Sequence, residues 1–412
     1  MKILYLTAYS YPEQVASSHM GRNRNQAFAD AGFEMVLYTP TPSRGVTDEI
    51  RRKYKKIKLE TMYDGHMAIH RFPLFREGKG AIQRAARYTL MCFIHFLKGS
   101  FAKDARECDV MFVASTPPIQ GAMAAMVKKI RRIPLIYNLQ DVFPDSLVNT
   151  GTIGRSSILW KIGRMIEDFT YANADKIIVI SKDIKNNIMA KGVPEDKIEL
   201  IYNWVDESEV IDIQRSENKL FDLYGLDKNK FYVTYCGNIG LTQNMDMLLD
   251  VAEDLEEYPD IQFVIIGDGA YKKNVEKNII DRNLGNVKLL PFQPYEDISH
   301  VFSLGDVGLI ISKPGVGDNS VPSKTWSIMS ASRPVLASFD ENELKDIIKN
   351  NDCGVFVPAG DKLALKEAII SLYKDRDRCV EYGRNGRKFI LNNLTKEIGT
   401  TKYVNLIKSF EK

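Results

Sequence analysis

The chain reads as an α/β protein of two doubly wound parallel-sheet domains, and three observations point there. Its 412 residues, 44% of them hydrophobic, exceed what a single core of about 100 to 200 residues takes up. Short apolar runs alternate with helical-period segments, starting at Lys2 and starting afresh at Phe231, which is the order of pieces in successive βα units. Between Glu207 and Lys230 the strand signal lapses into charged, polar sequence, as at a boundary between domains. The expected domains are 1–206 and 207–392.

In the first domain, Lys2 to Thr7 is an apolar run of the buried parallel-strand kind. A polar loop follows, then a helix ending near Gly32. Ligands of doubly wound sheets bind beyond the carboxyl ends of the strands, which puts Ser17, Ser18, His19, Gly21 and Arg22 beside a crevice. His19 there either orients a hydroxyl or is a solvated loop residue. EMVLYTP from Glu34 and MAIHRFP from Met67 read as strands, and RRKYKKIK from Arg51 as a basic, solvated face. Residues 81–103 place Leu90, Phe93, Ile94 and Leu97 at helical spacing, flanked by Arg84, Arg87, Lys98 and Lys103. Such a basic amphipathic helix suits an anionic bilayer, or else buries its stripe in the domain core. VMFVAST from Val110 is a strand, GAMAAMVKKIRR a helix, and PLIYNLQDVFPDS a strand breaking into a loop with Gln140, Asp141 and Asp145. A carboxylate at that strand end either accepts a hydrogen bond from a sugar hydroxyl or caps a turn. A helix from Arg155 to Tyr171, the strand ADKIIVIS, a helix to Lys191 and the strand KIELIYNWVD complete the series.

The second domain repeats the pattern with strands at Phe231–Cys236, Ile261–Ile266, Val287–Leu290 and Val307–Ile311 and helices between them. VLASF, a helix from Glu341, GVFVPAGD and further charged helical segments close the chain. The stretch Ser312 to Ser338, SKPGVGDNSVPSKTWSIMSASRPVLAS, therefore begins at a strand's carboxyl end. Gly315 and Gly317 allow close approach of backbone to a ligand. Pro322 and Ser323 open a helix, with Ser as its cap. Lys324 in the first turn opposes the helix dipole unless an anion binds there, phosphate being the usual guest. The plain alternative is a solvated Lys at an ordinary turn–helix junction.

The five Cys have neither CxxC nor zinc spacing and read as reduced thiols. The N-terminus enters a strand pattern with no targeting segment, and no run of about 18 apolar residues suggests a membrane span. The expected compartment is the cytoplasm. The formal charge of +3 conceals an asymmetry: residues 1–205 hold 30 basic and 20 acidic side chains, the remainder 26 and 33. A basic half facing an acidic half suggests that the first meets a polyanionic surface, membrane rather than nucleic acid. The Asp375–Asp377 pair in KDRDR lies in a charged helical segment and reads as solvated surface, not a metal site.

In order and spacing, ADKIIVIS…IYNWVD, YCGNIG…Q, FVIIGDGA, NVKLLPFQPYEDISHVFSLGDVGLIIS and PSKTWSIMSASRPVLA resemble glycosyltransferase family 4, the retaining, metal-independent group of GT-B fold. DVFPDS and VPSK are closest to the bacterial enzymes that build O-antigen, capsule and other exopolysaccharides. The resemblance covers almost the entire chain. It implies two Rossmann-like domains facing a cleft, a C-terminal helix (393–412) rejoining the first domain, and a nucleotide-sugar donor held by the second. Gly237, Asn238, Gly240 and Gln243 would meet the diphosphate, while Gly267, Asp268, Gly269, Phe292 and Gln293 would line the nucleoside. Gly315, Gly317, Asn319, Val321, Pro322, Ser323, Lys324 and Ser327 would hold sugar and phosphates. Where the family has Arg and Lys for the diphosphate, this chain has Asn238 and Gln243, and where it has two Glu eight positions apart, Asn319 and Ser327. The weight of meeting charge on the departing diphosphate then moves to Lys324 and Lys313. Catalytic roles fall to these two and Asp141, and acceptor contacts to Ser18, His19, Gly21, Arg22 and Gln140. The implied partners are a lipid-linked saccharide acceptor and the inner face of the cytoplasmic membrane, with no cofactor and no metal.

Neither GNIG nor GDGA completes the G-x-G-x-x-G of a nicotinamide enzyme. A sugar-nucleotide epimerase of similar architecture and a binding-only relative that has lost turnover both remain open.

Overall fold

The computed structural model describes residues 1–13, 18–78, 80–149, 151–317 and 321–411. It divides into two compact units, Met1–Tyr202 with Glu397–Lys412, and Asn203–Lys396.

The first unit holds an eight-stranded sheet: β1 (Lys2–Leu6), β2 (Glu34–Pro40), β3 (Leu59–Met62), β4 (Met67–Phe72), β5 (Val110–Ala114), β6 (Leu135–Leu139), β7 (Lys176–Val179) and β8 (Ile198–Leu200). Their spatial order is β3-β4-β2-β1-β5-β6-β7-β8. All pairs are parallel except β3 with β4. β1 and β5 lie at the centre with Ile3, Leu4, Leu6, Val110 and Val113 buried, as expected of strands covered on both faces. The antiparallel β3 falls inside a segment whose charges mask any strand pattern. Just before it, the basic run from Arg51 is a helix, Asp48–Lys56, capped by Thr47, whose hydroxyl accepts from Ile50 N. Tyr54 on that helix is buried under the Arg71 guanidinium, so one side of the run packs inward. The C-terminal helix Lys396–Lys408 buries Tyr403 in this unit, and Arg24 lies over the rings of Tyr5, Phe112 and Tyr403.

The helix Ala81–Phe101 departs from expectation in an informative way. Its inward face buries Met91, Cys92, His95 and Gly99, and also Arg87, whose guanidinium donates to the Phe75 carbonyl. Of the apolar stripe, Leu90, Phe93 and Leu97 are exposed, while Ile94 packs half-buried against the core. Arg87 is thus no surface cation, and of the stripe only Ile94 meets the core.

The second unit holds six parallel strands: β9 (Phe231–Asn238), β10 (Ile261–Asp268), β11 (Val287–Leu290), β12 (Val307–Ile311), β13 (Val335–Phe339) and β14 (Gly354–Pro358), ordered β11-β10-β9-β12-β13-β14. Phe231, Val233, Phe263, Ile265 and Leu309 form its core with Leu249 and Ile369 from flanking helices. Burying each such side chain contributes roughly 1.5–3 kcal/mol. The chain turns back across the sheet between β9 and β12. Their carboxyl ends are therefore where a doubly wound sheet opens a crevice.

The unit boundary lies four residues earlier than the expected 206/207, for a visible reason. Asp206 takes the Lys396 ammonium at 2.8 Å and the Ser208 hydroxyl at 2.6 Å, and Val205 N donates to Leu394 O at 3.2 Å. These bonds tie 203–206 to 394–396 inside the second unit, so the return to the first unit falls at Glu397 rather than at 393.

Candidate functional site

In the second unit the site begins with bare backbone. Gly237 and Gly267 face each other in register at the ends of β9 and β10, with φ of +139° and +153°. A Cβ on Gly267 would stand 1.9 Å from the Gly237 carbonyl oxygen, and one on Gly269 2.3 Å from that of Ile239. The two strand ends approach this closely only because Gly267 has no side chain in the way; at Gly237 the missing side chain leaves room for Lys324 instead.

Over this shelf lies Lys324, the first residue of the Lys324–Ser330 helix. Its Nζ sits 3.9 Å from the centroid of the Tyr235 ring, and a Cβ on Gly237 would lie 3.3 Å from it. Tyr235 is fixed in turn by donating its hydroxyl to Asn238 O at 2.6 Å. Among the described residues no carboxylate forms an ion pair with Lys324. Its half-buried ammonium is desolvated, which lowers its pKa to about 8, with the neighbouring Cys236 thiol acting the other way. A desolvated cation stacked on one ring and aimed at a glycine shelf suits an anion with oxygens to share.

The loop leaving β12 behaves differently from expectation. Asp340 accepts hydrogen bonds from Gly315 N, Val316 N and Gly317 N at 2.9, 3.0 and 2.8 Å. Asn342 Nδ2 donates to Gly317 O at 2.8 Å. The amides expected to meet phosphate already have an acceptor, and Gly317 is a glycine because a Cβ would strike the Phe339 ring at 2.4 Å. Lys313 at the start of this loop is exposed, its Nζ 6.0 Å from the Tyr271 ring centroid. Asn319 lies outside the described residues. Ser323 has helical backbone and makes no side-chain cap, contrary to the capping role expected of it. Val321 is buried beside Pro322, whose carbonyl accepts from Thr325 N. Ser327, three residues beyond Lys324, shares its side of the helix.

The neutral replacements have local tasks. Gln243 Oε1 accepts from Gly240 N at 3.0 Å, and its Nε2 donates to the Thr242 hydroxyl at 2.9 Å, stapling the turn after β9. Asp268 accepts from Gly269 N at 2.8 Å. Gln293 is buried and donates to the Tyr224 hydroxyl and to Pro291 O, whereas its neighbour Phe292 is exposed.

In the first unit the Ser18–Asp30 helix begins earlier than read. His19, Gly21 and Arg22 therefore occupy its first turns, not a loop, and Ser17 lies outside the described residues. Ser18 donates to Glu13 O at 3.4 Å. At the end of β6, Gln140 N donates to the Ser115 hydroxyl and Gln140 Nε2 to Asn138 Oδ1. Asp141 is partly open to solvent, yet surrounding protein pushes its carboxyl above the usual range. Asp145 belongs to the framework: Lys191 Nζ lies 2.7 Å from it and 2.9 Å from Glu167, and Tyr171 donates to Glu167 at 2.7 Å. Burial works to raise the Asp145 pKa, but Lys191 and Asn187 outweigh it and hold it low.

Sequence reasoning passed over a polar cluster at the carboxyl ends of β1, β2 and β4. Glu77 accepts from Tyr9 at 2.8 Å and from Tyr88 at 3.1 Å. Glu13 accepts from Ser43 N and Arg44 N at 2.8 and 3.0 Å. The available signal was position alone, since each follows a strand end; nothing in their spacing marks them.

Comparison with known proteins adds family relations to this geometry. Residues 216–389 match the model of the glycosyl transferases group 1, and residues 25–209 that of Glycosyltransferase Family 4. The chain is 26% identical over 266 residues to WbjE of Pseudomonas aeruginosa, named a glycosyltransferase, covering 64% of this chain and 66% of that one. It is 26% identical over 209 residues to WcaI of Escherichia coli K12, named for colanic acid biosynthesis, covering 50% and 51%. The matched part thus spans just under two thirds of the first relative's length and about half of the second's. Among solved structures, Anabaena HepE in complex with UDP and glucose superposes with a TM-score of 0.74 at 16% identity, covering 99% of this chain and 100% of that one. That likeness is one of fold.

Proposed function

Because the chain belongs to the group 1 and family 4 glycosyltransferases, whose GT-B fold it has, we propose that it moves a sugar from a nucleotide-sugar donor to a lipid-linked glycan acceptor. In this reading it serves bacterial surface polysaccharide synthesis, of the O-antigen or capsule kind, at the inner face of the cytoplasmic membrane. The observation that carries it is Lys324: a desolvated ammonium stacked on Tyr235 over the Gly237 shelf. Breaking the sugar–phosphate bond leaves extra negative charge on the diphosphate. Lys324 meets that charge where it develops, with Lys313 at the outer edge, so the departure needs no metal. Transfer with retention then proceeds on one face of the sugar, the departing phosphate oxygen taking the acceptor hydroxyl proton. Asp141 and the first turns of the Ser18–Asp30 helix, with His19 and Arg22, serve the acceptor. No helix among the described residues is long and apolar enough to cross a membrane, and membrane contact in this proposal is peripheral.

The colanic acid role in WcaI's name supports the polysaccharide setting, and the UDP complex of a protein sharing the fold supports the donor class. Thermal shift with UDP-, GDP- and dTDP-sugars tests it first: a donor at a hundred times its dissociation constant adds about 2.7 kcal/mol of stability. Transfer to a lipid-linked acceptor extract must then fall in Lys324→Ala; undiminished transfer removes Lys324 from the chemistry. One feature favours a second reading, a binding protein with weak turnover: Gln243 staples its own turn where the family has a cation. Donor binding without hydrolysis or transfer identifies that case.

A further inference from the structure

Three helices of the first unit, Ala81–Phe101, Gln120–Arg131 and Ile158–Asn173, lie side by side. Small residues let them approach. A Cβ on Gly99 of the first would meet Val127 of the second at 3.3 Å, and one on Gly121 of the second would meet Thr170 of the third at 2.4 Å. Their inner faces bury Met91, Met123, Ala124 and Val127. The outer faces are apolar too. Leu90, Phe93, Leu97 and Phe101 recur on one side of the first helix, Met126 and Ile130 project from the second, and Ile158, Ile162 and Met165 from the third. Phe93 is 58% exposed, Ile158 75% and Met165 71%. Exposed apolar residues are ordinary when scattered; ranged over adjoining helices they mark a surface that meets an apolar partner.

The surrounding charge identifies that partner. Residues 81–103, 120–132 and 155–166 contain no Asp or Glu, while Arg84, Lys98, Lys129, Arg132, Arg155 and Lys161 stand among them. At the end of the second helix Lys128, Lys129 and Arg132 line a cavity of about 390 Å³, open beside Ile133 and Pro134; Asp175, also on its wall, takes the Lys128 ammonium at 2.6 Å, which leaves Lys129 and Arg132 to face an anion. A second copy of the chain, paired through the same patch, would set cations against cations. An anionic bilayer offers acyl chains to the apolar side chains and phosphates to the cations. We propose that this three-helix face is a bilayer-docking surface, with Phe93, Ile130 and Ile162 entering the headgroup–acyl boundary and Lys129 and Arg132 at the cavity mouth taking a lipid phosphate. The inference rests on the proposed function only in that a lipid-linked acceptor requires the protein at a membrane.

The test uses the full chain and vesicles of phosphatidylcholine with and without phosphatidylglycerol. The wild type should sediment with the anionic vesicles. The exposed-site variant Phe93→Asp with Ile162→Asp should partition at least tenfold more weakly at unchanged Tm, and Arg132→Glu with Lys161→Glu should lose the preference for phosphatidylglycerol. Brominated lipid gives a reading free of surface variants. Trp160 lies on the third helix, whereas Trp204 and Trp326 are buried in the other unit, so quenching should vanish in Trp160→Phe. An Asp variant that sediments like the wild type overturns the proposal. So does a dimer that dissolves in that variant while vesicles bind neither protein. Nucleotide-sugar thermal shift, run without vesicles, reads the second unit alone and so tells failure here from failure of the proposed function.

Discussion

Lys324 is costly to the fold and useful to the site for one reason. Desolvation lowers its pKa from 10.5 to about 8, so between those values the unfolded chain binds the proton that the folded chain has lost, and stability rises with pH. Below pH 8 the folded protein bears the full cost of a charged, half-buried ammonium. Lys324→Met should therefore raise the Tm of the ligand-free protein at pH 7 by a few degrees, while abolishing the donor-induced shift. A variant that unfolds earlier, or still responds to donor, would refute this account. For the wild type, donor affinity should decline as pH rises through about 8, and the Met variant should lack that profile. Backbone is equally decisive at Gly267. Its φ of +153° and the 1.9 Å approach to Gly237 O leave no space for a methyl group, so Gly267→Ala should lose several kcal/mol in urea unfolding. An unchanged midpoint would show the two strand ends further apart than described.

At the scale of elements, strand and helix order was legible because buried parallel strands are continuous apolar runs and their helices carry the other period. β3 was not, since a four-residue antiparallel edge strand following RRKYKKIK has no pattern of its own. The stripe of Leu90, Phe93 and Leu97 was legible as amphipathic, but which way it faced was not: periodicity does not say that Arg87, not Phe93, goes inside. In the site, Lys324 stood out in the sequence because a helix start announces itself, whereas Gly237 was reached through the family resemblance. The engagement of Gly315, Val316 and Gly317 by Asp340 was hidden, being a contact across at least 23 residues. That contact makes its own prediction. Asp340→Ala leaves three amides without their acceptor, and should expose the 313–317 loop to proteolysis while the β13 core stays protected from hydrogen exchange. Equal cleavage of both proteins would show that Asp340 does not hold the loop.

Over the whole molecule, two units with separate cores and separate sheets divide the labour the composition hints at. The basic half carries the three-helix face, and the acidic half holds a desolvated cation, Lys324, at the end of β9. Calorimetry should resolve this division, with a nucleoside diphosphate raising the transition of the Asn203–Lys396 unit and leaving the other in place. A single transition shifted as a whole would mean that the units do not unfold separately. The central claim is narrower: the diphosphate of a nucleotide-sugar rests on the Gly237 shelf under Lys324. Titration calorimetry of UDP and GDP into wild type and Lys324→Ala at pH 7 addresses it most directly. The account predicts that the nucleotide bound by the wild type binds the variant at least tenfold more weakly, with both proteins equally folded; equal affinity in the two would contradict it.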